Sequence, residues 1–337
     1  MIEVEIEQMR DCVSKFGYEF EKFIGFGSSS SVSLCKGKIC QQQFAIKRSS
    51  KQITSEEYNS LVSLSHPNVI SLYNIFNDEE YQYLVMEYCS NGTIAQHGKI
   101  SPEKFIYYAK QMLEALVYCH SKQVSHFNIK PENILIDQYN HVKLCDFGIP
   151  QQNFDDKEYK NNFSSMVFSA PEILQHKHFV PFQADIWALG VTFYYIITGD
   201  YPFKGSTPEK FKESILNGDI NYNKYNVDTR IRFLINKMTS KNPAMRPTAE
   251  NILKLPIFSS EPSKKTLILA DCGRKNGHIL KYNNRLFLSI YQPSFLNETP
   301  SDEKKNNLMV DSNCYKSIIA SNHISKINCY HPIGKPE

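Results

Sequence analysis

Four short stretches of this chain carry side chains that could do chemistry. His126-Phe127-Asn128-Ile129-Lys130-Pro131-Glu132-Asn133 gathers two amides and an ammonium into one polar loop. Leu144-Cys145-Asp146-Phe147-Gly148 adds a carboxylate, and Phe44-Ala45-Ile46-Lys47 ends a β-type run on a second ammonium. Gly25-Phe26-Gly27-Ser28-Ser29-Ser30-Ser31-Val32 lies between β-type runs, where a glycine pair alone most often marks only a turn. Asn133 and Asp146 offer hard oxygen atoms of the kind Mg²⁺ takes. Asn128 offers a carbonyl that can orient a hydroxyl, but no basic site near neutral pH. Lys47, taken alone, reads as a solvated surface charge.

The elements that must position these groups are legible in outline. Short β-type runs broken by Gly and Ser span Phe20 to Ile24, Val32 to Cys35 and Gln43 to Ile46. A helix is expected over 54–64, with Tyr58, Leu61, Val62 and Leu64 near one face. Val69 to Phe76 and Tyr81 to Tyr88 read as two further strands. After Gly92 the pattern turns helical. Ile106, Tyr107, Met112, Leu113, Leu116 and Val117 give a long apolar face, and Trp187 to Thr198 reads as a helix buried on most sides. Strands first and helices afterwards predict an α+β chain with a small β-rich lobe and a larger helical one. Residues 1–17 read as a short lead-in that alternates acidic and apolar residues at its start.

The bulk composition sets limits. With 337 residues, 41% of them hydrophobic and 22% charged, the chain is long enough for one large domain or two moderate ones. A formal net charge of +3 gives no cause to expect nucleic-acid or membrane-surface binding. Nine scattered cysteines without a Cys-x-x-Cys pair fit reduced thiols in the cytoplasm better than a disulfide frame or zinc site. The acidic N-terminus lacks signal-peptide character, and no apolar run approaches the roughly 18 residues of a membrane span. The tail over 259–337 holds 11 Lys and Arg against 7 Asp and Glu, and is rich in Asn and Ser. It is expected to be poorly ordered or a small regulatory element, with Thr266–Ala270 and Leu286–Tyr291 as possible short strands.

The polar loop resembles the catalytic loop of protein kinases, His-Arg-Asp-x-Lys-Pro-Glu-Asn, with two letters changed. The other stretches match in order. The glycine run is similar to Gly-x-Gly-x-x-Gly-x-Val with Ser30 as the third glycine, and Phe44–Lys47 to Val-Ala-Ile-Lys. Leu84–Cys89 is similar to the strand entering the hinge, and Asp146–Gly148 to Asp-Phe-Gly. Ala170-Pro171-Glu172, Asp185-Ile186-Trp187 and Arg246-Pro247 match the helical-lobe anchors. Over residues 18–258 the chain resembles a eukaryotic protein kinase, nearest in texture to the calcium/calmodulin-dependent and AMP-activated kinase-like group.

That resemblance implies a bilobal kinase-like fold, with an N-lobe over about 18–88, a C-lobe over about 89–258 and ATP between them. Lys47 would hold the α- and β-phosphates, oriented by Glu57, with Glu56 the neighbour that could be confused with it. Gly25 and Gly27 would let the loop approach the phosphates. Ile24, Val32, Ala45, Met86 and Leu135 would line the nucleotide pocket, and backbone groups of Glu87 and Cys89 would bond the adenine edge. Asp146 would hold the bridging Mg²⁺ and Asn133 a second metal ion. Lys130 points to the Ser/Thr class. Leu61, Leu72, His126 and Phe147 fill the family's hydrophobic stack, and Arg246 should pair with Glu172.

Three departures alter what the resemblance implies. Asn128 stands where the family has the catalytic Asp, the proton acceptor. Loss of general-base help is typically worth ~10²–10⁴ in rate, while phosphoryl transfer relies mainly on positioning and metals. Phe127 replaces an Arg and cannot bind a phosphate; between Gly148 and Phe163 only Tyr159 carries a modifiable hydroxyl, so phosphorylation there is not expected as a switch. Gly92–Ile100 is about a turn shorter than the family's helix after the hinge, and Thr93 sits where kinases preferring basic substrates often place an acid. The expectation is an ATP- and Mg²⁺-binding, cytoplasmic, Ser/Thr-type domain with weak or absent phosphotransfer, acting on or beside a protein partner. A fully catalytic Ser/Thr kinase and a nucleotide-independent scaffold are the alternatives.

Overall fold

A computed structural model of the chain describes residues 2–27, 30–50, 61–147, 166–176 and 179–259, with the side chains of 2–4 excepted. The expected residues Glu56, Glu57, Tyr159, the tail strands and most of the 54–64 helix lie outside the described residues.

The first element is a helix, α1 (Ile2–Lys15), where the sequence reading had only a lead-in. The alternation at residues 1–7 obscures the 3.6 period, but Met9, Cys12 and Val13 stand at i, i+3 and i+4 and share one face. Five strands follow: β1 (Tyr18–Phe26), β2 (Ser30–Gly37), β3 (Gln43–Ser49), β4 (Leu72–Asn77) and β5 (Gln82–Glu87). They form one antiparallel sheet in the order β1-β2-β3-β5-β4. Each expected run lies in or overlaps one of these strands. The run begun at Val69 starts its strand only at Leu72; Val69 instead bridges to Leu144.

Register sorts the side chains onto two faces. Val32 pairs with Lys47 and Lys47 with Leu84; Leu34 pairs with Ala45 and Ala45 with Met86. A pleat period of two puts all six on one face. The alternate residues Cys35, Phe44, Ile46, Tyr83 and Val85 form the other face, and they cluster with Met9, Cys12 and Val13 of α1. Phe16, just beyond α1, stacks on Phe76 with ring centroids 4.0 Å apart. α1 is therefore the cover of the sheet's outer face. That leaves the Lys47 face open to the second lobe.

The second lobe is helical. A 3₁₀ turn (Ile94–His97) lies in the Gly92–Ile100 segment. α2 (Pro102–Ser121) starts at Ser101, whose Oγ accepts the Lys104 N–H at 3.3 Å, with Pro102 in the first turn. It buries Phe105, Tyr108, Met112, Leu113 and Leu116. A two-stranded ribbon follows, β6 (Ile134–Ile136) paired with β7 (Val142–Leu144). Then come α3 (Pro171–Leu174), α4 (Pro181–Thr198), α5 (Pro208–Asn217), α6 (Thr229–Met238), α7 (Ala249–Leu253) and α8 (Pro256–Ser259). α4 is buried nearly all round, as its unbroken apolar run predicts. At Gly190 a Cβ would stand 2.8 Å from the Thr239 side chain, so only glycine lets α4 and α6 approach this closely.

One ion pair anchors this lobe. Arg246 donates to both Glu172 oxygens at 2.6 and 2.7 Å, with the two side chains 0% and 6% exposed. The planar guanidinium matches the carboxylate fork, and the Gln183 carbonyl takes a further bond from Arg246 at 3.0 Å. Removing one partner of such a pair strands a buried charge.

Two expectations follow from this packing. Met9→Ala should cost about 2–5 kcal/mol, read by denaturant unfolding. A loss near zero would mean that α1 is not seated on the sheet. The second concerns pH. Burial pushes the pKa of His66 and His126 below the ordinary 6.5, aided at His66 by the charge of Lys143. The folded state thus binds fewer protons than the unfolded chain. Their contribution is full above pH 6.5 and is lost as pH falls below it. Asp200, held at about 2 by hydrogen bonds from Lys204 and Tyr225, acts only below its ordinary 3.8. Thermal melting should therefore fall between about pH 6.5 and 4.5; a flat profile in that window would contradict the burial of the two imidazoles.

Candidate functional site

The polar loop is held by a carboxylate from α4. Asp185, almost fully buried, accepts the His126 N–H and the Phe127 N–H, each at 2.8 Å. Its Oδ2 also lies 2.9 Å from Nε2 of His120 on α2. These bonds hold Phe127 at φ +59°, a left-handed conformation that a bulky side chain rarely adopts. His126 turns inward and stacks on Phe147, ring centroids 4.3 Å apart. Leu61 and Phe147 pack against the same core, and Leu72 stands half-buried on β4. Phe127 meets Phe179 edge-on at 6.2 Å.

Within the loop, the Asn128 backbone N–H donates to the His126 carbonyl at 2.8 Å, and the Asn128 backbone carbonyl accepts the Asn133 side-chain amide at 2.8 Å. Asn133 N–H bonds the Lys130 carbonyl at 3.0 Å, and Cys145 N–H bonds the Asn133 carbonyl at 3.0 Å. This lattice ties the polar loop to the segment that follows β7. Asp146, the next residue, also has a left-handed backbone, φ +59°. Its Oδ1 accepts from the Lys47 ammonium, which reaches over from β3. Its Oδ2 and its carbonyl each stand 3.3 Å from the Asn128 amide nitrogen.

Lys47, Asn128, Asn133 and Asp146 thus converge, although the sequence separates the first from the last by 99 residues. Glu57, expected to orient Lys47, lies outside the described residues; the described partner of Lys47 is Asp146. Lys130 is half-buried on the same loop.

Val32, Ala45 and Met86 share the sheet face of Lys47. Gly25 pairs with Val32 beside a register shift in β1, and Ile24 is partly exposed. At Gly27 a Cβ would stand 2.9 Å from Ser30 Oγ, and its N–H donates to the Ser30 carbonyl at 2.7 Å; residues 28 and 29 lie outside the description. Leu135 on β6 forms a single bridge with Thr93. Glu87 N–H donates to the Ser71 carbonyl at 3.0 Å, and its carboxylate pairs with Lys143 at 2.7 Å. Cys89 is buried at the junction of the lobes.

Sequence reasoning singled out Asp185 without saying what it held. It missed the Lys143–Glu87 pair and the Asn128–Asp146 contact. A Lys beside two apolar strand residues was a visible cue to the first, but nothing local signals the second.

No group of three or more His, Cys, Asp and Glu among the described residues could cage a metal ion. Asp146 and Asn133 instead offer two oxygen donors. That donor set suits Mg²⁺, which takes one or two protein carboxylates and fills its remaining positions with phosphate and water. No described helix is long and apolar enough to cross a membrane.

Comparison with known proteins agrees with this geometry. Residues 18–258 match the family model described as protein kinase domain. Sperm motility kinase 2B of Mus musculus is 31% identical over 252 residues, 71% of this chain and 51% of that protein. Sperm motility kinase 1 of the same species is 29% identical over 252 residues, again 71% and 51%. Calcium-dependent protein kinase 6 of Plasmodium berghei (strain Anka) is 32% identical over 263 residues, 74% of this chain but 18% of that protein. The chain thus spans about half the length of the mouse relatives and less of the Plasmodium one. With its sheet-built N-lobe, its helical C-lobe and a match over more than half its length, the chain belongs to the protein kinase domain family.

Proposed function

We propose that this chain is an ATP- and Mg²⁺-binding domain of the Ser/Thr protein kinase type, over residues 18–258, whose phosphotransfer is weak or absent. The convergence of Lys47, Asp146, Asn133 and Asn128 carries the reading. Lys47 provides a cation for the α- and β-phosphates. Asp146 would hold one Mg²⁺ and Asn133 a second, each through a side-chain oxygen. Val32, Ala45, Met86 and Leu135 supply apolar walls, and backbone groups of Glu87 and Cys89 face the adenine edge. Lys130 accompanies the γ-phosphate and places the domain in the Ser/Thr class. Bound Mg²⁺ would neutralise charge on the phosphates; the residues of this chain orient the nucleotide around it.

Asn128 limits the chemistry. Its amide cannot take the proton of a substrate hydroxyl near neutral pH. In the fold its side-chain nitrogen is turned to Asp146, which leaves the side-chain carbonyl to orient a hydroxyl. The domain therefore keeps positioning and loses base assistance. The fully catalytic reading draws its support from relatives that are named kinases. A protein substrate or partner and a cytoplasmic setting complete the proposal. Its kinship with the calcium/calmodulin-dependent group rests on motif texture.

A phosphotransfer assay on a generic Ser/Thr substrate tests this. Asn128→Asp should raise the rate by about two decades or more, since base help is worth ~10²–10⁴. Lys47→Met in that background should abolish the gain. Equal, robust activity with Asn and with Asp at 128 would sink the account of Asn128.

A further inference from the structure

We propose that Asn128 is a latch that keeps the metal-binding residue Asp146 docked on the polar loop without a divalent cation. The inference adds a role for Asn128 to the reading above and takes its functional meaning from it. It rests on three features of the geometry. First, the amide nitrogen of Asn128 faces two acceptors, the Asp146 carbonyl and Oδ2, each at 3.3 Å. Neither can donate, so the end of the amide turned to them must be the NH₂. Second, Lys47 donates to the other oxygen, Oδ1, so the carboxylate is held by a donor on each side. Third, Asp146 has φ +59°, a left-handed backbone that costs some free energy in a non-glycine residue and that contacts to its side chain and carbonyl help to offset.

The other side of the latch is fixed. The backbone of Asn128 is pinned through its N–H to the His126 carbonyl and through its backbone carbonyl to the Asn133 side-chain amide, both at 2.8 Å. An Asp at 128 would turn only acceptors toward the acceptors of Asp146. Like charges at that distance repel, and a cation between them is the natural remedy. The amide removes both the repulsion and the need for the cation. The consequence is a nucleotide site whose floor is assembled at low Mg²⁺, where a carboxylate at 128 would leave it dependent on the ion.

Metal alone, without nucleotide, is the decisive probe. The 337-residue chain, as wild type and as Asn128→Asp, would be melted in excess EDTA and in millimolar Mg²⁺. In EDTA the Asp variant should melt about 2–8 °C lower. Mg²⁺ should restore most of that loss and move wild type by no more than about a degree. Equal melting in EDTA, or an equal response of both proteins to Mg²⁺, would overturn the latch. If Asn128→Asp does not fold, the exchanged pair Asn128→Asp/Asp146→Asn decides. It restores one amide facing one carboxylate, so it should fold and melt near wild type in EDTA; its failure to fold would count against the latch. Addition of ATP to the same samples keeps the two ideas apart. Absence of nucleotide binding would remove the proposed function, while the metal response would still judge the latch.

Discussion

A single carboxylate at the start of α4 organises the chemistry of this domain. Asp185 accepts from two successive backbone N–H groups and meets a histidine from α2, all while nearly excluded from water. Charge-assisted bonds in a dry setting are strong, and they hold the backbone turn at Phe127 that sends His126 inward and Asn128 toward the cleft. α4 is fixed by its own burial, by the Gly190 approach to α6 and by the Arg246–Glu172 pair behind it. The rigidity of the helical core is thereby passed to a loop that would otherwise have no regular structure.

The opposing half of the site depends on a different device. Lys47 reaches Asp146 because β3 lies in the middle of the sheet, with partners on both sides fixing its register. A one-residue slip would turn Lys47 to the outer face, among Cys35, Tyr83, Val85 and the residues of α1, and turn Phe44 and Ile46 away from it. Burial of Phe44, Ile46, Tyr83 and Val85 under α1 opposes that slip. The N-terminal helix, which precedes the stretch matched by the family model, thus contributes to the site by making the wrong face of the sheet apolar.

Much of this could be read from the chain before any coordinates. β-type runs broken by Gly and Ser marked the strands, and the unbroken apolar run marked α4. The order of the motifs also implied which residues should meet. What stayed hidden was what depends on long-range geometry. α1 was missed because the alternation of Glu with Val and Ile at its start imitates a strand. The Asn128–Asp146 contact joins residues 18 apart through a single amide rotamer, for which no local pattern exists. The Phe127–Phe179 contact is of the same kind. It links the polar loop to the segment after α3 by an aromatic edge.

The central claim is that this cleft holds a nucleotide through Asp146. Calorimetric titration with a non-hydrolysable ATP analogue and Mg²⁺ tests it most directly, on wild type and on Asp146→Asn. Wild type should bind, and the substitution should weaken binding by about tenfold or more, or about 1.4 kcal/mol. Folded wild type that takes up no nucleotide, or an Asp146→Asn variant that binds as tightly, would contradict it.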